Sequence, residues 1–282
     1  MVEKNRTIIM LSAKRCGSTA MFKIFQKHPN VGVCHVNQKI DFWEPNFWNL
    51  GADAIQGSPE NFISRFEKSH SFLKFPKKFT EKSLFQLWDD ILFQLGPILF
   101  DKSPQYLGNK YALELIKKYK DSGNDVRLFG MIRDPRDAIT SQYELWRRYV
   151  NGDSPKRREI QWLKMYSHFE FYKKNVENIP LYKYEDFSLR INHFAPKLME
   201  YCGLSDIPYS YDHFRPTSIG RYLGSINPRI RAWRFSKNFE KHLDKYGYGN
   251  LKISVTKKFF IMKKMFKANF LREVYALKRI IN

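Results

Sequence analysis

Thr7 and the uninterrupted apolar run at residues 8–11 lead directly into a polar loop and then into a helical pattern. An apolar run of this length without alternation is typical of a strand that is buried on both faces. The loop, residues 12–19, carries the adjacent cations Lys14 and Arg15, one glycine (Gly17) and hydroxyl side chains. In such a layout, backbone N–H groups and the positive end of a helix dipole converge on an anion. The segment predicts a phosphate or sulfate site at the end of a buried strand.

This loop differs from the loop that binds nucleoside triphosphates. The spacing G-x-x-x-x-G-K-[ST] is missing, and no lysine follows Gly17. The cations precede the glycine instead. Taken alone, the segment is also compatible with an ordinary strand–loop–helix that has exposed basic residues.

Periodicity along the chain predicts an α/β protein, a three-layer sandwich with a central parallel sheet flanked by helices. The predicted strands are 7–11, 126–132 and 179–184. The predicted helices are 18–27, 59–69, 80–94, 107–121, 136–150, 158–177 and 190–202. The aromatic segment 35–57 is predicted to be irregular and is a candidate binding loop. Its aromatic side chains either pack in the core or stack against sugar rings, and both interpretations stay open.

A second strand–turn–helix pattern covers residues 126–143. Pro135 suits the first position of a helix, and Asp134 suits the N-cap before it. Arg133 leaves the predicted strand end, where a guanidinium can bind a phosphate with two hydrogen bonds. The alternative is an arginine that pairs with Asp137.

These two patterns resemble the donor-binding motifs of sulfotransferases that use 3′-phosphoadenosine 5′-phosphosulfate (PAPS). Residues 12–19 resemble the P-loop-like phosphosulfate loop of that family. Arg133 and Ser141 resemble its 3′-phosphate motif, in which a serine follows an arginine by eight positions.

Further segments are similar to the same family. Residues 44–48 resemble E-P-x-F-F, and residues 101–107 resemble E-K-S-P-x-Y-L; both motifs occur in its carbohydrate-acting and related bacterial branches. Residues 180–187 and 201–204 resemble a strand ending in Y-E-D and a helix ending in F-L-G-L. The resemblance spans about residues 6–250.

The resemblance implies PAPS as the co-substrate, without a metal ion. The implied donor-binding residues are Lys14, Arg15, Cys16, Gly17, Ser18, Thr19, Arg133, Ser141 and Tyr184. Ala20 stands where the cytosolic enzymes have a tryptophan that stacks on adenine, so stacking has to come from elsewhere in this chain.

The resemblance also implies the catalytic residues Glu44, Arg15 and Lys102. Glu44 matches the base that deprotonates the acceptor hydroxyl, and burial among aromatic neighbours would raise its pKa toward the working pH. The alternative is a loop carboxylate paired with a surface lysine. Arg15 stands at the position of the catalytic lysine, and because arginine holds its proton, Lys14 or Lys102 has to supply any proton to the leaving phosphate. The reserve candidates for the base are Asp41 and His35.

The net charge of +21 predicts a polyanionic partner. No nucleic-acid-binding motif accompanies the charge, so we expect no nucleic acid partner. Three cysteines without metal-ligand spacing favour a reduced, cytoplasmic protein, and we expect neither a signal peptide nor a transmembrane segment. Residues 251–282 form a basic amphipathic pattern that either packs on the domain or touches an anionic membrane.

The resulting hypothesis is a sulfotransferase domain at 1–250 with a helical extension at 251–282. It would move a sulfuryl group from PAPS to a hydroxyl, first of all on a glycan that is itself anionic. Small alcohols, lipids and tyrosine are the alternative acceptors. A basic protein that binds nucleic acid or a membrane surface is a more remote alternative.

Overall fold

The computed structural model describes residues 5–34, 44–146, 152–176, 179–205 and 219–249 of the chain. The strands in these ranges are β1 (Arg6–Ser12), β2 (Gly32–Val33), β3 (Ile98–Lys102), β4 (Asp125–Ile132) and β5 (Leu181–Lys183). The helices are α1 (Ser18–Gln26), α2 (Phe47–Ile55), α3 (Glu60–Glu67), α4 (Glu81–Leu95), α5 (Lys110–Asp121), α6 (Pro135–Trp146), α7 (Pro155–Asn175), α8 (Tyr184–Tyr201), α9 (Pro228–Arg231) and α10 (Lys237–Lys245). A short 3₁₀ turn, Tyr106–Gly108, precedes α5.

The strands form one parallel sheet in the order β2-β3-β1-β4-β5. β1 lies at its centre, and its residues from Thr7 to Ser12 are buried, as expected for a strand covered on both faces. The α/β architecture with a central parallel sheet and flanking helices is therefore confirmed.

The register of the sheet brings the ends of two strands together. Met10 of β1 pairs with Lys102, the last residue of β3. Because parallel strands end at the same edge, the loop after β1 and the segment after β3 begin side by side, where ligands bind in sheets of this kind.

The chain divides into two compact units. The first comprises Met1–Ile132 and Lys164–Phe214, and it contains the whole sheet. The second comprises Arg133–Leu163 and Arg215–Asn282, with helices α6, α9 and α10. The predicted boundary at residue 250 and the predicted extension 251–282 lie outside the described residues.

Several predicted elements need correction. The prediction that 35–57 is irregular is wrong for the second part of this segment, which forms helix α2. Phe47 and Trp48 of this helix are completely buried and pack against Trp88 of α4, whose indole N–H donates to Thr7 Oγ1 at 2.9 Å. These two rings belong to the core and are not exposed for sugar stacking.

Two strands are not predicted from the sequence, namely β2 and β3. In addition, the helix predicted at 190–202 begins at Tyr184, directly after β5, and its backbone is non-helical at Arg190. The part of the chain that is described contains no helix long and apolar enough to cross a membrane.

Candidate functional site

The loop after β1 makes two turns with positive φ. Arg15 has a φ of 70° and Gly17 a φ of 94°. A side chain at Gly17 would also collide with its surroundings, because a Cβ atom there would lie 2.5 Å from Cδ2 of Tyr184. Position 17 therefore requires glycine, both because of its backbone conformation and because there is no room for a side chain. The same close approach means that the buried Tyr184 lies directly against the loop.

The N-terminus of α1 faces this loop without a side-chain cap. Gly17 occupies the N-cap position, and the first turn has no acidic residue. Ser18 is buried and Thr19 is exposed. Uncapped N–H groups at the positive end of a helix dipole are suited to bind an anionic group.

Cys16 is the apolar anchor of the loop. Its side chain is completely buried, and Sγ lies 3.9 Å from the hydroxyl oxygen of Tyr166. That hydroxyl in turn donates to the carbonyl oxygen of Met131 at 3.1 Å. The thiol is thus part of the interior, so the predicted role of Cys16 in donor binding stays a prediction for its backbone.

Glu44 and Lys102 form an ion pair, with Oε1 and Nζ 3.8 Å apart. The lysine side chain is only 2% exposed, whereas the glutamate is 28% exposed. Burial lowers the pKa of Lys102, although Glu44 and Asp101 act in the opposite direction. A lysine in this state holds its proton less tightly than a surface lysine.

Within the described residues, four cations act on Glu44, and they come from three separate segments. Lys102, Lys14, Arg65 and Arg15 all lower its pKa, but burial raises the pKa by more, so it lies above the ordinary value. This is the direction expected for a base that works near neutral pH.

Sequence reasoning missed one member of this group. Arg65 belongs to α3, and burial lowers its pKa while Glu44 raises it. Nothing in the spacing of the motifs pointed to it, since it lies 17 positions after Trp48, the nearest motif residue.

Asp101, next to Lys102, was also missed as a functional candidate. It is completely buried, and burial raises its pKa to about 7. Tyr106 donates a hydrogen bond of 2.6 Å to Oδ2, and Ser103 donates one of 3.5 Å to Oδ1.

The predicted 3′-phosphate residues, Arg133 and Ser141, belong to the second unit. Both side chains are nearly completely buried. The charge of Arg133 acts on Asp137 and lowers its pKa. Burial and Asp134 nevertheless raise the pKa of Asp137 to about 7.

Asp137 also binds backbone groups of a later segment in the same unit. Its carboxylate accepts hydrogen bonds from the backbone N–H groups of Gly220 at 2.6 Å and Tyr222 at 2.7 Å. The preceding Asp134 accepts from the backbone N–H of Arg136 at 2.9 Å, as the predicted N-cap role requires.

In the first unit, the charges of Lys14, Arg15 and Lys102 thus all act on Glu44. In the same unit, Gly17 lies in close contact with Tyr184. Arg133 and Ser141 both belong to the second unit, with Arg133 two residues before α6 and Ser141 in the middle of this helix. Asp41 and His35 lie outside the described residues. Among the residues that are described, no group of three or more His, Cys, Asp or Glu side chains is arranged to hold a metal ion.

Comparison with known proteins gives a match in fold and none in sequence. No family model and no curated protein matches the chain. Among solved structures, the sulfotransferase domain of the olefin synthase from Synechococcus PCC 7002 aligns with a TM-score of 0.61 at 15% identity, over 87% of this chain and 96% of that one. The sulfotransferase domain from the curacin biosynthetic pathway aligns with a TM-score of 0.59 at 11% identity, over 87% and 99%.

A third solved structure, the sulfotransferase STF9 from Mycobacterium avium, aligns with a TM-score of 0.52 at 14% identity, over 86% of this chain and 76% of that one. The architecture is that of an α/β protein with a parallel sheet, and the chain has the sulfotransferase fold.

Proposed function

We propose that this protein is a sulfotransferase that moves a sulfuryl group from PAPS to an acceptor hydroxyl. The observation that carries the proposal is the arrangement of Lys14, Arg15 and Lys102 with the carboxylate Glu44, where β1 and β3 end side by side. The sulfotransferase fold supports it. The distribution of charge fits the reaction, since the sulfuryl group and the leaving phosphate are both anionic.

In the proposed reaction, Glu44 takes the proton of the acceptor hydroxyl as its oxygen attacks the sulfur atom. A sulfur–oxygen bond forms to the acceptor, and the bond between sulfur and the 5′-phosphate oxygen breaks in line with it. Adenosine 3′,5′-bisphosphate leaves. Charge spreads over the equatorial oxygens, so the contribution of the protein is positioning and electrostatic stabilisation.

The cations divide this work according to their chemistry. Arg15 stabilises negative charge but cannot give up a proton at neutral pH. Lys102 is the better proton source for the leaving phosphate, since burial lowers its pKa. This supports Lys102 as the catalytic acid, with Lys14 as the second candidate.

The donor is proposed to bind through the loop after β1 and the N-terminus of α1. The required glycine at position 17 and the uncapped helix end support this role for the 5′-phosphosulfate. Arg133 and Ser141 are the proposed ligands of the 3′-phosphate. Tyr184, which packs against Gly17, is the proposed contact of the adenosine moiety.

For the acceptor, we propose a carbohydrate hydroxyl, on an acidic or already sulfated glycan. The net charge of +21 and the additional cation Arg65 beside Glu44 support an anionic acceptor. The burial of Phe47 and Trp48 removes one argument for sugar binding. The alternative acceptor is a hydroxyl that does not belong to a carbohydrate. The origin of two of the similar domains, in an olefin synthase and in the curacin pathway, supports this alternative.

The test is incubation with labelled PAPS and a panel of acceptors: a sulfated glycan, a neutral oligosaccharide, a long-chain alcohol, a phenol and a tyrosine peptide. We expect the anionic glycan to gain one sulfuryl group fastest, at a rate that falls as salt screens the charge. Fastest transfer to the long-chain alcohol would replace the carbohydrate assignment and leave the reaction class in place. Absence of transfer to every acceptor would contradict the proposed function.

A further inference from the structure

A hydrogen-bonded group of polar side chains lies next to Lys102 in the chain, adjoining the Glu44–Lys102 pair. At its centre is Asp101, a completely buried carboxylate at the end of β3. Both of its oxygens accept a hydrogen bond, Oδ2 from Tyr106 at 2.6 Å and Oδ1 from Ser103 at 3.5 Å. A buried carboxylate with these partners is held in one orientation.

The group extends to both members of the ion pair. Ser103 Oγ also accepts a hydrogen bond of 3.0 Å from the backbone N–H of Asn46. Asn46 lies two residues after Glu44, and Asp101 immediately precedes Lys102. The chain of contacts from Asn46 through Ser103 to Asp101 therefore ties the backbone that carries Glu44 to the strand end that carries Lys102.

We propose that Asp101 is a positioning residue for the Glu44–Lys102 pair and that its protonation state determines the geometry of that pair. Ionised, Asp101 accepts from Tyr106 and Ser103 at the same time. A proton on either oxygen makes that oxygen a donor and a weaker acceptor, so the hydrogen bond that this oxygen accepts is weakened or reversed. The inference rests on the proposed function, because Glu44 and Lys102 are its proposed catalytic residues.

The surroundings of Asp101 set the pH at which it gains or loses its proton, and this pH lies in the neutral range. Burial raises the pKa of Asp101 to about 7, and Glu44 adds to the rise. Lys102 and the hydrogen bonds from Tyr106 and Ser103 act in the opposite direction. A further titratable neighbour in the described part of the chain is the buried thiol of Cys34, whose own pKa is raised well above its ordinary value by burial and by Asp101.

A second aspartate provides a matched control, which shows what the loss of a hydrogen-bonded carboxylate does to the fold alone. Asp89 of α4 accepts a hydrogen bond from the hydroxyl of Tyr119 of α5, and burial raises its pKa as well. The charged neighbour that adds to this rise is Asp90. Asp89→Asn therefore removes a carboxylate from a similar aspartate–tyrosine hydrogen bond without changing a proposed catalytic contact.

The experiment measures sulfuryl transfer from PAPS between about pH 5 and about pH 9 for the wild type, Asp101→Asn and Asp89→Asn. We expect the wild type to show an ionisation near pH 7 besides that of Glu44. Asp101→Asn should lose this ionisation and turn over about tenfold to a hundredfold more slowly, the scale expected for misplaced catalytic groups. Asp89→Asn should keep the wild-type profile.

Tyr106→Phe provides a second variant that keeps the carboxylate. Because the hydrogen bond from Tyr106 stabilises the ionised form, its loss should move the ionisation to higher pH. The inference is overturned if the pH dependence of transfer is not shifted in Tyr106→Phe, or if Asp101→Asn keeps the wild-type pH dependence, whatever its turnover. In both cases the sulfotransferase assignment stands. Absence of transfer by the wild type overturns both.

Discussion

Lys102 Nζ lies 3.8 Å from Glu44 Oε1, and the lysine side chain is almost completely buried. The two residues belong to separate motifs that are more than fifty positions apart in the chain. Burial disfavours the charged form of both, since it raises the pKa of Glu44 and lowers that of Lys102. Both shifts have the direction that suits the proposed roles, with Glu44 as the base for the acceptor hydroxyl and Lys102 as the acid for the leaving phosphate.

Glu44→Gln should lower turnover by about a hundredfold or more, the scale of losing a general base. The amide keeps the size of the side chain and loses its basicity, so the affinity for adenosine 3′,5′-bisphosphate should be retained. Turnover of the wild type should rise with pH as Glu44 loses its proton. Because the pKa of Glu44 is raised, this rise should lie at a higher pH than for an exposed glutamate.

Glu67→Gln, at an exposed position of α3, is the control and should leave turnover and its pH dependence unchanged. Equal turnover in Glu44→Gln and the wild type would exclude Glu44 as the base. Asp41 and His35 would then be the residues to test.

Ser141→Ala should weaken binding of PAPS more than binding of adenosine 5′-phosphosulfate, which lacks the 3′-phosphate. A lost hydrogen bond to a charged group is worth about 1.5–3 kcal/mol, or roughly tenfold or more in affinity. Thr140→Val is a matched control, because Thr140 is also buried on α6 and its hydroxyl has no hydrogen-bond partner within the described residues.

The two ligands should be compared by calorimetry on all three proteins. If Ser141→Ala weakens both ligands equally, the serine supports the fold and does not contact the 3′-phosphate. This variant is a cleaner probe than a substitution of Arg133, whose charge also acts on Asp137.

Gly17→Ala should destabilise the protein and weaken donor binding together. The new Cβ atom meets Tyr184 at 2.5 Å, and the backbone has a φ of 94°. Gly57→Ala separates these two effects, since Gly57 has a φ of 102° but nothing within 4 Å of the position that the new methyl group would occupy. The backbone strain alone should cost about 1 kcal/mol.

We expect a larger drop in melting temperature for Gly17→Ala than for Gly57→Ala, and weaker binding of adenosine 3′,5′-bisphosphate only for Gly17→Ala. Equal drops with unchanged binding would show that the contact between the loop and Tyr184 has no role in the donor site.

Asp101→Asn should also change how stability depends on pH. Burial raises the pKa of Asp101 to about 7, whereas an unfolded aspartate titrates at about 4. Between these values the folded state holds a proton that the unfolded state has lost, so the free energy of unfolding falls as pH rises. The asparagine variant lacks this fall.

The melting temperature of Asp101→Asn relative to the wild type should therefore increase from about pH 5 to about pH 8. Asp53→Asn, at an exposed position, is the control and should show no such increase. A constant difference between Asp101→Asn and the wild type would mean that Asp101 does not titrate in this range.

Much of the fold could be predicted because the buried strands β1 and β4 each contain a continuous run of residues without charged side chains, 7–12 and 128–132. β3 was missed because only Ile98, Leu99 and Phe100 separate Pro97 from the polar Asp101. Helix α2 was missed because it has no recognisable start signal. Its N-cap, Asn46, has a φ of 55° and makes no side-chain capping hydrogen bond. Tertiary packing of Phe47 and Trp48 stabilises this helix instead.

The candidate site was predictable only where a motif marks it. Lys14, Arg15, Glu44 and Lys102 stand in recognisable segments, and the structure brings their charges together. Arg65 reaches the site through the packing of α3, which no local pattern encodes. Tyr106 stands in the recognised segment 101–107, but its hydrogen bond to Asp101 depends on the turn before α5. The burial of Asp101 likewise follows from its position at the end of β3, a strand that the sequence did not reveal.

The central claim is transfer of a sulfuryl group from PAPS, and the most direct measurement follows label from PAPS sulfur into an acceptor. The wild type should transfer one sulfuryl group to at least one hydroxyl acceptor and release adenosine 3′,5′-bisphosphate in equal amount, while Glu44→Gln should do so about a hundredfold more slowly. A well-folded protein that leaves the label in PAPS with every acceptor, and that is not stabilised by adenosine 3′,5′-bisphosphate, would contradict the account.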